Sequence, residues 1–229
     1  IGVAFNATVM GVDHYRDAAP LLRTLADLEM LLSLQVEHDQ LLALRPLVEG
    51  SGVRTLIDHG GRPAPGRGVG QPGFQALLAM ARTGRTAVKL SGWQKFSSQP
   101  PPYDDTRPFV DALLDTFTLD GCLWASDWPF LKAPQRLDVG PLLRHVERLL
   151  PLAADRRQLF WDTPRRWLGF DGCRLEADCR LSEVASNSPS LPIADDRAGS
   201  VSGHRVATSA REVSDALASL RPCYFQPAL

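Results

Sequence analysis

The chain has 229 residues, 44% of them hydrophobic, with 25 basic side chains against 26 acidic ones and a net charge of −1. That length and apolar content bury a core in one domain, and the near-neutral balance of scattered charges excludes nucleic acid and anionic membranes as partners. No apolar run is long enough to span a bilayer and Ile1–Asn6 lacks the basic region of a secretory signal, so the expectation is a cytoplasmic protein with a small-molecule partner; position 1 is not Met, which points to a missing beginning.

From residue 1 to about 170, strand-like runs alternate with amphipathic helical patterns, the signature of successive βα units on a parallel sheet. The fold class is therefore α/β. Strands are expected near 2–6, 31–36, 53–59, 86–91 and 122–127. Between the first two, Leu21, Leu22, Leu25 and Leu28 mark a helical stripe. Leu41, Leu42 and Val48 mark the next, closed by Gly50, and Phe74, Leu77, Leu78 and Ala81 a third. Phe109, Val110, Leu113, Leu114 and Phe117 precede the fifth strand; Val139, Leu142, Leu143, Val146, Leu149 and Leu150 follow it. All of these read as core packing.

Two of the strands end in titratable groups. Val53–Ile57 runs into Asp58-His59 and is broken by Gly60-Gly61-Arg62-Pro63, while Leu123-Trp124-Ala125-Ser126 delivers Asp127 just before Trp128-Pro129. The tips of barrel strands are where an acid or base is held. Alternation adds a direction: Val88 and Leu90 must meet helices, so Lys89 and Ser91 point inward, as do Ser33, Gln35, Ala4 and Asn6. The same phase puts His59 with Thr55 and Ile57, and Asp127 with Leu123 and Ala125, both facing the barrel mouth, and leaves Asp58 outward and structural. Lys89, low in the barrel, reads equally as a buried cation paired to an acid. Trp93, Trp124 and Trp128 can wall a pocket, although Trp124, on the outward phase, is more simply helix packing.

The four cysteines show no CxxC spacing, and free thiols are the expected state. Beyond Phe170, Ser, Pro, Asp and Gly dominate to about 205, with a short stripe at Val213, Leu217 and Leu220. The expected division is a barrel portion over 1–170 and a poorly structured tail over 171–229.

Four segments in order, Gly2–Asn6, Ile57–Pro63, Lys89-Leu90-Ser91-Gly92 and Ala125–Pro129, resemble the landmarks of amidohydrolase-related proteins, most of all the 2-pyrone-4,6-dicarboxylate lactonase group. Leu159–Phe170 resembles that group's closing helix, with Thr163 where Asn is usual. The resemblance implies a partial (β/α)8 TIM-like barrel holding about strands 4 to 8, with His59 in the sixth-strand role and Asp127 in the eighth. None of His14, His38, His145 or His204 belongs to a His-x-His pair, so the first three strands and two family histidines are expected to be missing.

The resemblance further implies hydrolysis of a lactone or ester C–O bond in a small carboxylate-bearing molecule. Asp127 would be the base that strips a proton from water, and His59 would donate to, or position, the carbonyl. Lys95, Arg62, Asn6 and Gln35 are the candidate substrate-binding residues, with Arg67 and Arg16 as further cationic clamps. One histidine and one carboxylate make a poor zinc site, so no metal is expected; a zinc-dependent hydrolase or decarboxylase of the same superfamily is the alternative. A five-strand barrel leaves two open edges. The expectations that follow are weak or absent activity in the isolated chain and self-association through the edges, a non-catalytic interaction module being the remaining alternative.

Overall fold

The strand-forming runs pair in chain order into one parallel sheet of five strands, each bonded to the next. They are β1 (Gly2–Asn6), β2 (Leu31–Gln35), β3 (Arg54–Ile57), β4 (Thr86–Leu90) and β5 (Cys122–Trp124). The computed structural model describes residues 1–130, 133 and 137–169; the expected tail, with His204, Cys173, Cys179 and Cys223, lies outside the described residues. β1 and β5 are the two edges of the sheet, as a partial barrel requires.

Parallel pairing needs a crossover between successive strands. Helices α1 (Ala7–Met10) and α2 (Ala19–Asp27) follow β1, α3 (Gln40–Ser51) follows β2, α4 (Pro72–Met80) follows β3 and α5 (Arg107–Phe117) follows β4. After β5 come α6 (Val139–Leu149), α7 (Ala153–Arg157), a π-turn over Gln158–Asp162 and α8 (Thr163–Leu168). The five helical stripes thus fall on α2 to α6. The third-helix boundary differs: Gly50 lies inside α3, and Gly52 ends it, because only Gly52 takes the left-handed conformation, at φ 72°. Leu42 also leaves the predicted stripe for solvent while Leu44 enters it.

The core sits between sheet and helices. Leu32, Leu34 and Val36, Ile57, Val88 and Leu90, and Cys122 bury their side chains there against Leu22, Leu25, Leu77, Val110 and Leu113. Cys122 is a free thiol that burial pushes up to about 12, which leaves it inert. Trp124 packs edge-on against Phe160 on the same side, as its phase predicted.

The opposite face of the sheet is layered. Leu31, Leu56, Ala87 and Leu123 form an apolar floor closed by Trp167 of α8, whose indole N–H donates to the Asp120 carbonyl at 3.1 Å. Above it lies a polar layer of Ser33, Asp58 and Lys89. This corrects the phase read for β3. Thr55 and Ile57 face away from the barrel interior and Asp58 faces inward, because Leu56, in register with Ser33 of β2, occupies the inner position. Lys89 meets the expectation of an inward cation, with Nζ 2.6 Å from Asp58 Oδ1 and 3.3 Å from Ser33 Oγ.

Candidate active site

The top layer of the inner face, at the C-terminal ends of the strands, brings His59 and Asp127 together. Both strands end before these residues: β3 stops at Ile57 and β5 at Trp124. His59 instead lies in a tight turn over Asp58–Gly61 with φ 54° and ψ 39°, and Asp127 has φ 64°. Two non-glycine residues in the left-handed region at one rim cost roughly 1 kcal/mol or more each, a strain that the surrounding contacts must hold. The turn at His59 carries the ring back over the rim, so it reaches the site despite the reversed phase of its strand. His59 Nε2 lies 3.4 Å from Asp127 Oδ1, with the two side chains 9% and 12% exposed.

The Lys-x-Ser-Gly segment at the end of β4 supports this pair from between the two elements. Ser91 Oγ is 3.0 Å from His59 Nδ1. Gly92 has φ 64°, and a Cβ there would collide with Nδ1 and Cγ of the His59 ring, so glycine is required both by the backbone and by the neighbour. The turn that follows, Trp93–Lys95, aims two side chains at the other carboxylate oxygen: Gln94 Nε2 donates to Asp127 Oδ2 at 2.6 Å, and Lys95 Nζ lies 3.2 Å from it. Trp93 turns the other way and is buried against His145.

Burial is the main influence on His59 and lowers its pKa; Lys95 and Lys89 act in the same direction, while Asp127 and Asp58 oppose them. The ring is therefore neutral near pH 7. A neutral imidazole beside a carboxylate, with an amide and an ammonium on that carboxylate's far oxygen, is an arrangement suited to proton transfer.

The remaining predicted residues are placed as follows. Asn6 and Gln35 are register partners at the ends of β1 and β2, on the inner face of the same rim. Asn6 Oδ1 accepts from Thr8 Oγ1, and its backbone N–H donates to the Tyr15 hydroxyl. Arg62 also stands at this end of the sheet, but its guanidinium pairs with Glu37 at 3.0 Å. Arg67 is paired with Asp39, and Arg16 with Asp13 on an exposed turn, and among the described residues no contact ties either to the Asp127 cluster. Trp128 is 74% exposed and walls nothing among the described residues. The sequence reading missed Gln94 and the part played by Ser91. Inward phase and the motif marked Ser91, whereas Gln94 sits in a turn with no periodic signal.

The family model described as "Amidohydrolase" matches residues 1–170. Over 146 residues the chain is 35% identical to a 4-sulfomuconolactone hydrolase of Rhizobium radiobacter, covering 62% of this chain and 48% of that protein. It therefore spans about half the length of this curated relative. Among solved structures, a protein of Pseudomonas putida described as a 2-pyrone-4,6-dicarboxylic acid hydrolase superposes with a TM-score of 0.65 at 30% identity, covering 74% of this chain and 63% of that one. An amidohydrolase of Burkholderia multivorans, crystallised with bound zinc, shares the fold at 22% identity and a TM-score of 0.60, over 73% of this chain and 64% of its own.

Zinc asks for three or four nitrogen, oxygen or sulfur donors around one point. Among the described residues no cluster of three His, Cys, Asp or Glu side chains could hold a metal ion. Asp127 also faces an ammonium and an amide N–H, which compete with a cation for the same oxygen. The donor set of the described residues does not fit zinc. The parallel sheet, the ordered motifs and the match over residues 1–170 together show that the chain belongs to the amidohydrolase family.

Proposed function

We propose that this chain carries the acid–base half of a hydrolase that opens a lactone or ester C–O bond in a small carboxylate-bearing molecule. The observation that supports this best is the Asp127 carboxylate, held at the rim between His59 on one oxygen and Gln94 and Lys95 on the other. The names of the similar lactone hydrolases agree with it.

In this reading Asp127 takes a proton from water as the water oxygen adds to the carbonyl carbon. The ring C–O bond then breaks, and the proton on Asp127 passes to the leaving oxygen, so no net proton is consumed by the enzyme. Neutral His59 swings the hydrogen bond of its Nε2 proton from Asp127 Oδ1 to the carbonyl oxygen as negative charge develops there. Gln94 and Lys95 orient the carboxylate. Asn6 and Gln35 present hydrogen-bonding groups to the polar end of the substrate, whose carboxylate would exchange with Glu37 on Arg62 and share Lys95 with Asp127.

The test is ring opening of 4-sulfomuconolactone and 2-pyrone-4,6-dicarboxylate by the purified chain, followed by ultraviolet absorbance, with Asp127→Asn alongside. Slow turnover that the substitution abolishes while substrate binding persists is the expected result. Equal rates in the two proteins, or a wild-type chain that neither binds nor opens either lactone, would overturn the reading.

A further inference from the structure

We propose that Ser91 is a positioning residue that holds His59 as the tautomer protonated on Nε2, by donating its hydroxyl proton to Nδ1. The inference deepens the proposed hydrolase reading and stands on three geometric observations. The first is that His59 is contacted at both ring nitrogens, by Asp127 Oδ1 at Nε2 and by Ser91 Oγ at Nδ1. An ionised carboxylate only accepts hydrogen bonds, whereas a hydroxyl donates or accepts. A neutral ring has one proton, and a bare Nε2 within 3.4 Å of a carboxylate oxygen would set two electron-rich atoms side by side with no proton between them. The proton therefore sits on Nε2, and Nδ1 is the acceptor.

The second observation is burial. Ser91 is 1% exposed, and its side chain has one hydrogen bond among the described residues, the one to His59. No bulk water competes for the hydroxyl proton, so it is directed at Nδ1. The third is Gly92, which leaves the ring room to lie against Ser91; any side chain at that position would push the imidazole off it. The end of β4 thus sets both the place and the protonation pattern of a ring that β3 supplies. A donor N–H at the rim is what a carbonyl developing negative charge requires, and the opposite tautomer would present a lone pair there.

The test is a long-range proton–nitrogen correlation spectrum of the full chain, labelled with nitrogen-15 and recorded near pH 7.5, with His59 assigned from His59→Gln. The expected pattern is protonated Nε2 and bare Nδ1. In Ser91→Ala the Nδ1 resonance moves downfield as its lone pair loses a donor, and Ser91→Thr, which keeps a hydroxyl, restores the wild-type position. A proton on Nδ1 in the wild-type chain would overturn the proposal, as would an unchanged Nδ1 resonance in a folded Ser91→Ala chain. If Ser91→Ala does not fold, the wild-type tautomer and the Ser91→Thr position decide. Where lactone opening is measurable, Ser91→Ala lowers kcat about ten-fold with KM little changed. Absent turnover with the Nε2 tautomer intact would count against the hydrolase reading alone.

Discussion

His59 Nε2 and Asp127 Oδ1 are 3.4 Å apart although β4 lies between the strands that carry them. The contact therefore bridges over the end of β4, and the residues at that end, Ser91 and Gly92, touch the His59 ring. If the pair divides its labour as proposed, the two substitutions differ in size. His59→Gln, which keeps an N–H donor, lowers kcat for lactone opening by about 10–100-fold, and Asp127→Asn by at least about 100-fold. Steady-state kinetics on both variants checks the order.

Gly92→Ala combines a left-handed backbone forced on a residue with a Cβ and a collision with the imidazole. The expected loss is about 2–4 kcal/mol of stability. Urea denaturation measures it, and the His59 nitrogen resonances shift in whatever fraction remains folded.

Lys89 and Asp58 meet at 2.6 Å beneath the site, with side chains 26% and 20% exposed. Partial solvation lowers the value of such a pair below that of a buried one. Lys89→Met and Asp58→Asn are each expected to cost about 1–2 kcal/mol, and the double variant less than their sum by about 1 kcal/mol. A double-mutant cycle by chemical denaturation gives the coupling directly.

His145, buried against Trp93, has its pKa lowered from the ordinary 6.5 to about 4, chiefly by burial, with Arg148 and Arg107 adding to the effect and Asp104 opposing it. Between those two values the unfolded chain binds more protons than the folded one. Stability is therefore full above pH 6.5, falls as pH drops from 6.5 toward 4, and loses nothing further to this ring below that. His59, lowered in the same direction, adds the same sign. Denaturation midpoints from pH 7.5 to 4.5 reveal the slope, and His145→Gln reduces it.

Trp167 closes the apolar floor of the inner face, stacks under the Arg54 guanidinium at 4.7 Å and donates to Asp120. Trp167→Ala is expected to cost about 3–5 kcal/mol, since Leu31, Leu56, Ala87 and Leu123 lose their cover. The denaturation midpoint checks this.

Much of this arrangement is legible in the residues. β1, β2 and β4 lie where alternation put them, because Val3 and Phe5, Leu32 and Leu34, and Val88 and Leu90 mark the helix-facing side and leave Ser33 and Lys89 on the inner one. β3 misled because Thr55, Leu56 and Ile57 are all buried, so neither phase is marked by an exposed residue. Gln94 was invisible since a turn residue has no period, and β3 and β5 stop short of His59 and Asp127, whose left-handed backbone leaves no mark in the hydrophobic pattern.

Residue order alone settles that this is a parallel α/β chain with an acid and an imidazole near its strand tips, because period and punctuation act locally. Only the tertiary structure decides that these two groups face each other, that Ser91, Gln94 and Lys95 surround them, and that Asp58 turns inward to Lys89. Those are contacts between elements 25 or more residues apart, and they depend on register, backbone handedness and burial, none of which a local pattern encodes.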